Sequence, residues 1–333
     1  MGFYFFYFDD ENKVYECNSV KSYLNCLEEL QKNFCYDKSF IKDNNKYLPT
    51  DLQLYKKALS ENNYYKSNEK VDVKYFYRGH FSINYKLLPS VFRDHHYARE
   101  NFYYHQIKVE CPSYFIGKKK LDQLVTMQHY DCPTRLLDIT SNPLVALYFA
   151  CKNFACSNCT KESNGVVYVF VSDSKGILYS DSDKALMLSS LAKFSLEQKK
   201  QIYEECMKNL MPYKEIKHPS ISNIMKKFQH EVRTENPSFK LELNPLDLLS
   251  CFFVQPEKSN QRILKQDGAF IISGLSSNTE DSEHKLESMV YKKIIIKNKD
   301  KILEELDKLG INESTLFPEI DKVANYLKNK SIS

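Results

Sequence analysis

The stretch from Met127 to Ala150 constrains this chain more than any other feature of its sequence. Its first twelve residues include glutamine, histidine, threonine, arginine and aspartate, and an almost wholly apolar segment follows them. Burying polar groups costs free energy unless each one finds a partner. The pattern therefore predicts a buried polar site against a core helix, which serves either as a hydrogen-bond hub or as a reaction site.

Apolar periodicity along the rest of the chain predicts an α+β fold. Strands are predicted at residues 71–77, 165–171, 248–254, 269–272 and 291–296. Helices are predicted at residues 22–33, 97–109, 118–129, 142–154, 195–210, 221–232 and 301–309, with a last helix from about residue 318. Asn142 before Pro143, and Ser195 with Gln198, have the spacing of helix N-caps. Residues 276–287 are predicted to form a polar loop.

The 333 residues contain no internal repeat, no low-complexity tract and no long linker. The sequence therefore favours a single domain with a central mixed or antiparallel sheet flanked by helices. We expect an N-terminal strand or extension at residues 1–19 and the main domain at residues 20–330. Two tightly packed subdomains are the alternative.

Charge and hydropathy limit the partners of the chain. Its 47 Lys and Arg nearly balance its 43 Asp and Glu, so charge alone does not indicate a nucleic-acid protein. No apolar stretch approaches the ~18–20 residues that a membrane span needs. Residues 1–8 lack the pattern of a signal peptide and are predicted to form a strand. We therefore expect a cytoplasmic location and no membrane partner.

The cysteines include one pair with metal-ligand spacing. Cys156 and Cys159 form a C-x-x-C pair next to Cys151, among ten cysteines in all. A structural zinc site needs four ligands, and the sequence has no second C-x-x-C pair. Free thiols and no metal are the expectation, with a zinc site as the alternative.

Two candidate site residues follow a predicted strand. Arg78 offers a planar, permanently charged fork for phosphate or carboxylate, and Gly79 beside it allows a close backbone approach. The alternative is that Arg78 pairs inside the fold, for example with Asp138. His80, which comes next, has the pattern of a solvated or packed histidine.

Further candidates lie in the opening stretch and before the strand at residues 269–272. His129 can act as acid, base or donor near neutral pH, and with Arg135 it can face a substrate. Alternatively, Arg135 and Asp138 cap helices and neutralise each other. Gln266 can orient a sugar hydroxyl or an amide, or it is a surface residue in a turn. Signatures of serine hydrolases, P-loop nucleotide binders and dinucleotide folds do not occur.

These clusters together resemble the FRG domain family, named for a Phe-Arg-Gly triplet. The resemblance spans about residues 20–328 and departs from the pattern at two places, with Tyr77 for phenylalanine and Asp131 for glycine. The matching motifs are Tyr77-Arg78-Gly79, residues 87–93, Glu100 as the downstream acidic residue, and residues 128–138, 142–150, 262–270 and 309–318.

The resemblance implies a core related to ADP-ribosyltransferases and NAD as the substrate. It implies a toxin or anti-phage (abortive infection) effector, with nucleic acid or protein as candidate acceptor. Catalytic roles would fall on Glu100, Gln266 and His129, and NAD binding on Arg78, Gly79, Arg135 and Asp138. Such transferases usually carry glutamate where this chain has Gln266, which leaves a non-catalytic nucleotide, nucleic-acid or partner-binding module as the alternative. A zinc-dependent nucleic-acid enzyme is a third hypothesis, which rests only on Cys156 and Cys159.

Overall fold

The computed structural model describes residues 14–32, 72–153, 163–210, 222–240, 243–257 and 260–329. Its strands are β1 (Tyr15–Cys17), β2 (Val73–His80), β3 (Leu136–Thr140), β4 (Gly165–Asp173), β5 (Leu178–Tyr179), β6 (Cys251–Gln255), β7 (Gly268–Ser273) and β8 (Val290–Ile296). They form one open sheet of eight strands in the order β1-β8-β4-β2-β3-β7-β6-β5. The outermost pairs are parallel and the inner pairs antiparallel. The predicted mixed sheet is confirmed.

Helices flank this sheet on both faces. They are α1 (Val20–Lys32), α2 (Glu100–Glu110), α3 (Lys120–His129), α4 (Pro143–Cys151), α5 (Asp183–Ser190), α6 (Leu196–Lys208), α7 (Asn223–Arg233), α8 (Pro245–Leu249), α9 (Gln261–Lys265), α10 (Thr279–Glu287), α11 (Lys299–Lys308), α12 (Glu313–Leu316) and α13 (Ile320–Asn329). Both predicted N-caps are confirmed: Asn142 Oδ1 accepts from the Leu144 amide at 3.0 Å, and Ser195 with Gln198 forms a capping box. Among the described residues, no helix has the length and apolar character needed to cross a membrane.

Two predicted segments were wrong because side-chain caps create helices where the composition suggests otherwise. The expected polar loop at 276–287 contains α10, whose first turn is capped by Asn278 accepting from the Asp281 amide at 2.8 Å. The expected strand at 248–254 begins only at Cys251, because Asn244 caps the short helix α8. The predicted strand at residues 1–8 lies outside the described part of the chain.

Strand β3 was not predicted, and it lies at the centre of the sheet. Leu136, Leu137 and Ile139 are buried on both of its faces, so the run lacks the polar alternation that marks a half-exposed strand. It pairs with β7 over five positions but with β2 only at Tyr77 and Thr140. The centre of the sheet is therefore held by a single register pair.

The two faces of the sheet carry separate apolar layers. One face packs against α1, α4 and α11 over β2, β4 and β8, and against α3, α5, α6, α7 and α8 over β6 and β7. The other face is covered by residues 87–92 and α10.

Gly79 allows helix α4 to lie directly on β2. A Cβ atom at this position would lie 1.9 Å from the carbonyl oxygen of Ala146 and 2.6 Å from the amide nitrogen of Ala150. Both atoms belong to the helix backbone, which cannot move aside as a flexible side chain can. The sequence predicts that Gly79 lets the backbone approach a ligand, but packing against the helix already requires a glycine at this position.

A buried ion cluster anchors the chain just before β3. The Arg135 guanidinium is fully buried and donates from Nε and Nη2 to the two carboxylate oxygens of Glu100, at 2.8 and 2.6 Å. Lys199 Nζ lies 2.6 Å from the same carboxylate. Burial acts to raise the pKa of Glu100, but the charges and hydrogen bonds of Arg135 and Lys199 outweigh it and lower this pKa to about 2. The carboxylate is therefore anionic at neutral pH.

Replacing Arg135 with alanine should lower the free energy of unfolding by about 3–5 kcal/mol, because a buried carboxylate then loses its bidentate partner. Chemical denaturation measures the loss. Arg99→Ala is the matched control, since Arg99 is exposed and its guanidinium only lies 5.2 Å from the Phe102 ring centre. That variant should change stability by no more than about 1 kcal/mol. Equal losses in the two variants would contradict the anchoring role.

Two glycines allow a paired test of the contact between α4 and β2. Gly79→Ala should destabilise the fold by about 1–3 kcal/mol or more, because the new methyl group overlaps the backbone of α4. At Gly268 the nearest atom to a new Cβ would be Ile263 Cγ2 at 3.4 Å, an ordinary contact. Gly268→Ala should therefore cost no more than about 1 kcal/mol. The same denaturation assay separates the two, and a tolerant Gly79→Ala would refute the packing argument.

Candidate functional site

A cleft opens where β2 and β3 diverge at the centre of the sheet. It holds about 930 Å³ of empty space, including the part open to solvent, and its walls come from β2, β3, β7, α3, α4 and α9. The polar residues in its lining are Arg78, Gln128, His129, Asp131, Asp138, Thr140, Asn260, Arg262 and Gln266. The structure thus brings together residues from all three polar clusters of the sequence.

Arg78 spans the gap between the two central strands. Its Nη1 donates to the backbone carbonyl of Asp138 at 2.5 Å and lies 3.6 Å from the Asp138 carboxylate. Because Tyr77 pairs with Thr140, two further ladder positions would set Gly79 against Asp138, but the Arg78 guanidinium bonds the Asp138 carbonyl instead. Only 18% of the side chain is exposed. Burial lowers the pKa of Arg78 to about 10, against the pull of Asp138, so the group stays cationic at neutral pH.

His80 orients the Arg78 guanidinium. Its Nε2 accepts from Arg78 Nε at 2.8 Å, so the neutral ring carries its proton on Nδ1. Burial and the charges of Arg78 and Arg93 hold the pKa of His80 well below its usual range. The histidine is packed inside the fold, as one of the two sequence interpretations expected. It acts on the cleft through the arginine.

A chain of hydrogen bonds fixes the Asp138 carboxylate. Gln128 Nε2 donates to Asp138 Oδ2 at 2.8 Å, and Gln128 Oε1 accepts from Thr134 Oγ1 at 2.6 Å. Thr134 Oγ1 in turn accepts from the Leu136 amide at 3.1 Å. Asp138 therefore pairs with Arg78, as the alternative interpretation of that arginine proposed. The carboxylate nevertheless stays 55% exposed at the cleft.

His129 ends helix α3 at the rim of the cleft. Its Nε2 lies 3.6 Å from Glu319 Oε1. Burial and the nearby charge of Arg262 lower the pKa of His129, and Glu319 opposes this shift. The ring is consequently neutral at pH 7 and offers one donor and one acceptor nitrogen.

Gln266 lies opposite, between α9 and β7. Its side-chain Nε2 donates to the Leu316 carbonyl at 3.1 Å, and its backbone carbonyl accepts from Thr140 Oγ1 at 2.6 Å. Arg262 stacks 4.8 Å above the centre of the Phe317 ring. The segment around residue 316 therefore holds this wall of the cleft in place. Gln266 lies in a turn, as the alternative interpretation expected, but its side chain is half-buried rather than fully at the surface.

Two of the predicted site residues lie elsewhere. Glu100 and Arg135 are buried in the ion cluster before β3, and neither lines the cleft. Among the described residues, Arg135 donates two hydrogen bonds to Glu100 and a third, from Nη1, to the Ser273 carbonyl at 3.0 Å. These bonds hold its guanidinium inside the fold. The sequence could not separate Arg135 from Asp138, since both are polar residues in one short motif. Their predicted roles have no geometric support in this structure.

Sequence reasoning missed one backbone feature of the site. Asp131 lines the cleft with φ of 57°, in the left-handed region that favours glycine. The position is the one where the resemblance replaced glycine by aspartate, and aspartate tolerates this conformation better than most residues. The departure from the pattern therefore keeps the turn and adds a carboxylate to the cleft.

The zinc alternative stays a prediction, because the cysteines on which it rests fall in a part of the chain that the structure does not describe. Cys156 and Cys159 lie outside the described residues, and within those residues no cluster of three or more His, Cys, Asp or Glu is placed to hold a metal ion.

Comparison with known proteins bears on the family. Residues 73–159 match the model of the FRG domain. Searches of curated proteins and of solved structures found no match. The matched range contains Arg78, Gln128, His129 and Asp138, whereas the motifs at residues 262–270 and 309–318 lie beyond it. Most of the cleft, including Arg78 and both lining aspartates but not Arg262, is therefore built by the segment at residues 73–159 that matches the FRG domain.

Proposed function

We propose that the cleft binds NAD as a substrate and that the protein is an ADP-ribosyltransferase or NAD glycohydrolase with an ADP-ribosyltransferase-like core. The observation that carries this proposal is the meeting of Arg78, His129 and Gln266 in one cleft, although they lie far apart in sequence. The guanidinium of Arg78 suits a pyrophosphate, and the neutral imidazole of His129 suits the hydroxyl of an attacking group. The amide of Gln266 suits a ribose hydroxyl.

The proposed reaction breaks the bond between the nicotinamide nitrogen and C1′ of the ribose. The bonding electrons leave with nicotinamide, and positive charge develops at C1′ and the ring oxygen. Water or an acceptor group then forms a bond to C1′ and gives up a proton. Water as the attacking group yields ADP-ribose, whereas an acceptor yields an ADP-ribosylated product.

Arg78 is assigned to the pyrophosphate. Among the described residues its Nη2 makes no hydrogen bond or ion pair, whereas Nε and Nη1 hold the guanidinium against His80 and Asp138. A fork that the protein already orients loses little freedom on binding an oxyanion. Gln266 would orient a ribose hydroxyl through its amide oxygen, because its amide nitrogen is bonded to Leu316.

The proton and the developing positive charge need separate groups. The neutral ring of His129 can accept the proton that the attacking water or acceptor gives up. Asp131 and Asp138 supply carboxylates to the lining, whereas Glu100 is buried away from it. We assign charge stabilisation to Asp138, because Arg78 and Gln128 hold its carboxylate in position before a ligand binds.

We extend the proposal to a toxin or anti-phage effector that acts in the cytoplasm on a nucleic-acid or protein acceptor. The family resemblance supports the effector role. Depletion of NAD, or modification of an essential acceptor, would stop the growth of the cell that carries the protein.

A non-catalytic nucleotide-binding module is the second candidate. One observation favours it: among the described residues that line the cleft, none is a glutamate. Asp138 is the carboxylate best placed to replace one, and two neighbours already hold it. A binding module would retain NAD without releasing nicotinamide.

Incubation of the protein with NAD, alone and with nucleic-acid or protein acceptors, should release nicotinamide, measured by chromatography. Arg78→Ala should reduce kcat/KM at least about tenfold, because it removes a charged hydrogen bond to the substrate. Arg99→Ala, an exposed arginine outside the cleft, should leave the rate unchanged. In cells, induction of the wild type should stop growth and Arg78→Ala should not.

The result that opposes the proposal is the absence of nicotinamide with every acceptor. If NAD still binds in that case, and Arg78→Ala weakens the binding, the module is favoured. If NAD does not bind at all, both candidates lose their support.

A further inference from the structure

A second cavity lies beside the first, on the segment that joins β2 to α2. It holds about 1110 Å³ of empty space, including the part open to solvent, and it shares no lining residue with the cleft. Tyr85, Lys86, Arg93, Asp94 and His95 contribute to its walls. None of these residues has a part in the proposed NAD chemistry.

Arg93 is fixed in this cavity without a carboxylate partner. Its Nε and Nη2 both donate to the Leu88 carbonyl, at 3.1 and 2.5 Å. Among the described residues it makes no ion pair; burial lowers its pKa, and the charges of Asp138 and Asp94 oppose this shift. Arg93 is an exposed residue, and a guanidinium that a neutral carbonyl holds in place can still bond an anion. Its Nη1 is the nitrogen that remains for such a ligand.

The backbone beside Arg93 adds further donors. Asp94 and His95 are consecutive residues in the left-handed region, with φ of 48° and 62°. Aspartate and histidine adopt this conformation more readily than most residues. Within the described part of the chain, neither amide donates a hydrogen bond. Successive free amides in a turn form a concave site for an oxyanion.

The charges around the cavity are mixed. Lys86 lines the cavity and pairs with Glu283 at 3.3 Å, and the exposed Asp94 carboxylate contributes a negative charge at the wall. The unpaired positive charge is thus that of Arg93. One tetrahedral oxyanion presents several acceptor oxygens in different directions, so it can bond a guanidinium and two amides together.

We propose that this cavity binds the phosphate group of a phosphorylated small molecule through Arg93 and the amides of Asp94 and His95. The inference does not depend on the proposed reaction with NAD. Free phosphate and a nucleotide present the same group, and Tyr85 offers a ring beside which a nucleobase can pack. The two sources are separated by comparing inorganic phosphate with ADP.

The chain contains no tryptophan, so Tyr85→Trp places a single fluorescent reporter in the cavity. Titration with inorganic phosphate, at constant ionic strength, should change its emission in a saturable way. ADP binding more tightly than phosphate would identify a nucleotide site, and equal binding a phosphate site. In the same background, Arg93→Gln should weaken binding about tenfold or more.

Three controls make the outcome decisive. Tyr179→Trp, on the distant edge strand β5 and 55% exposed, should show no saturable change. Gln266 lines the NAD cleft and not the second cavity, so Gln266→Ala in the Tyr85→Trp background should still bind phosphate. This result is expected whether or not the protein turns over NAD. Should Arg93→Gln fail to fold, Arg93→Lys keeps the charge and loses the fork, and it should weaken binding. Unchanged affinity in a folded Arg93 variant, or no saturable change with phosphate, overturns the proposal.

Discussion

The sheet depends on one narrow junction at its centre. Its eight strands fall into two groups of four that meet through a single register pair, Tyr77 with Thr140. By contrast, β2 pairs with β4 over eight positions. An open gap would leave backbone groups unsatisfied, and Arg78 prevents this by donating to the Asp138 carbonyl. The side chain that completes the junction is also the one that faces the cleft, so fold and site constrain each other here.

The central motif divides its polar residues between two tasks. Arg135 is fully buried against Glu100, whereas Asp138, three positions later, is 55% exposed at the cleft. Between them lie Leu136 and Leu137, the start of a strand whose two faces are both covered. The motif is therefore a hydrogen-bond hub at its arginine and a cleft wall at its aspartate. The sequence alone presents a hydrogen-bond hub and a site as alternatives, whereas the structure divides the motif between a hub and a cleft wall.

Local signals in the sequence predicted local structure, and they failed where distant segments decide. Asn142 and Ser195 cap their helices as predicted, because a cap needs only neighbours a few residues away. Strand β3 escaped prediction, since its apolar run fits a helix equally well until β7 pairs with it. The need for Gly79 was likewise invisible, because the atom that a side chain would strike belongs to Ala146, 67 positions later. The motifs identified the cleft residues, but only the fold showed which of them are exposed.

Asp138 links the two cavities electrostatically. Its charge raises the pKa of both Arg78 and Arg93, while Arg93 lowers that of Arg78. Asp94 also raises the pKa of Arg93, so Asp138 is not the only carboxylate that offsets the two guanidinium groups. An anion bound at Arg93 would offset the repulsion between Arg93 and Arg78. The attraction of Asp138 for Arg78 would then be less opposed. Arg78 would then attract a second anion less strongly, and because coupling between sites is reciprocal, an anion in the cleft would weaken binding at Arg93 to the same degree. We therefore expect an anion in either cavity to weaken anion binding in the other.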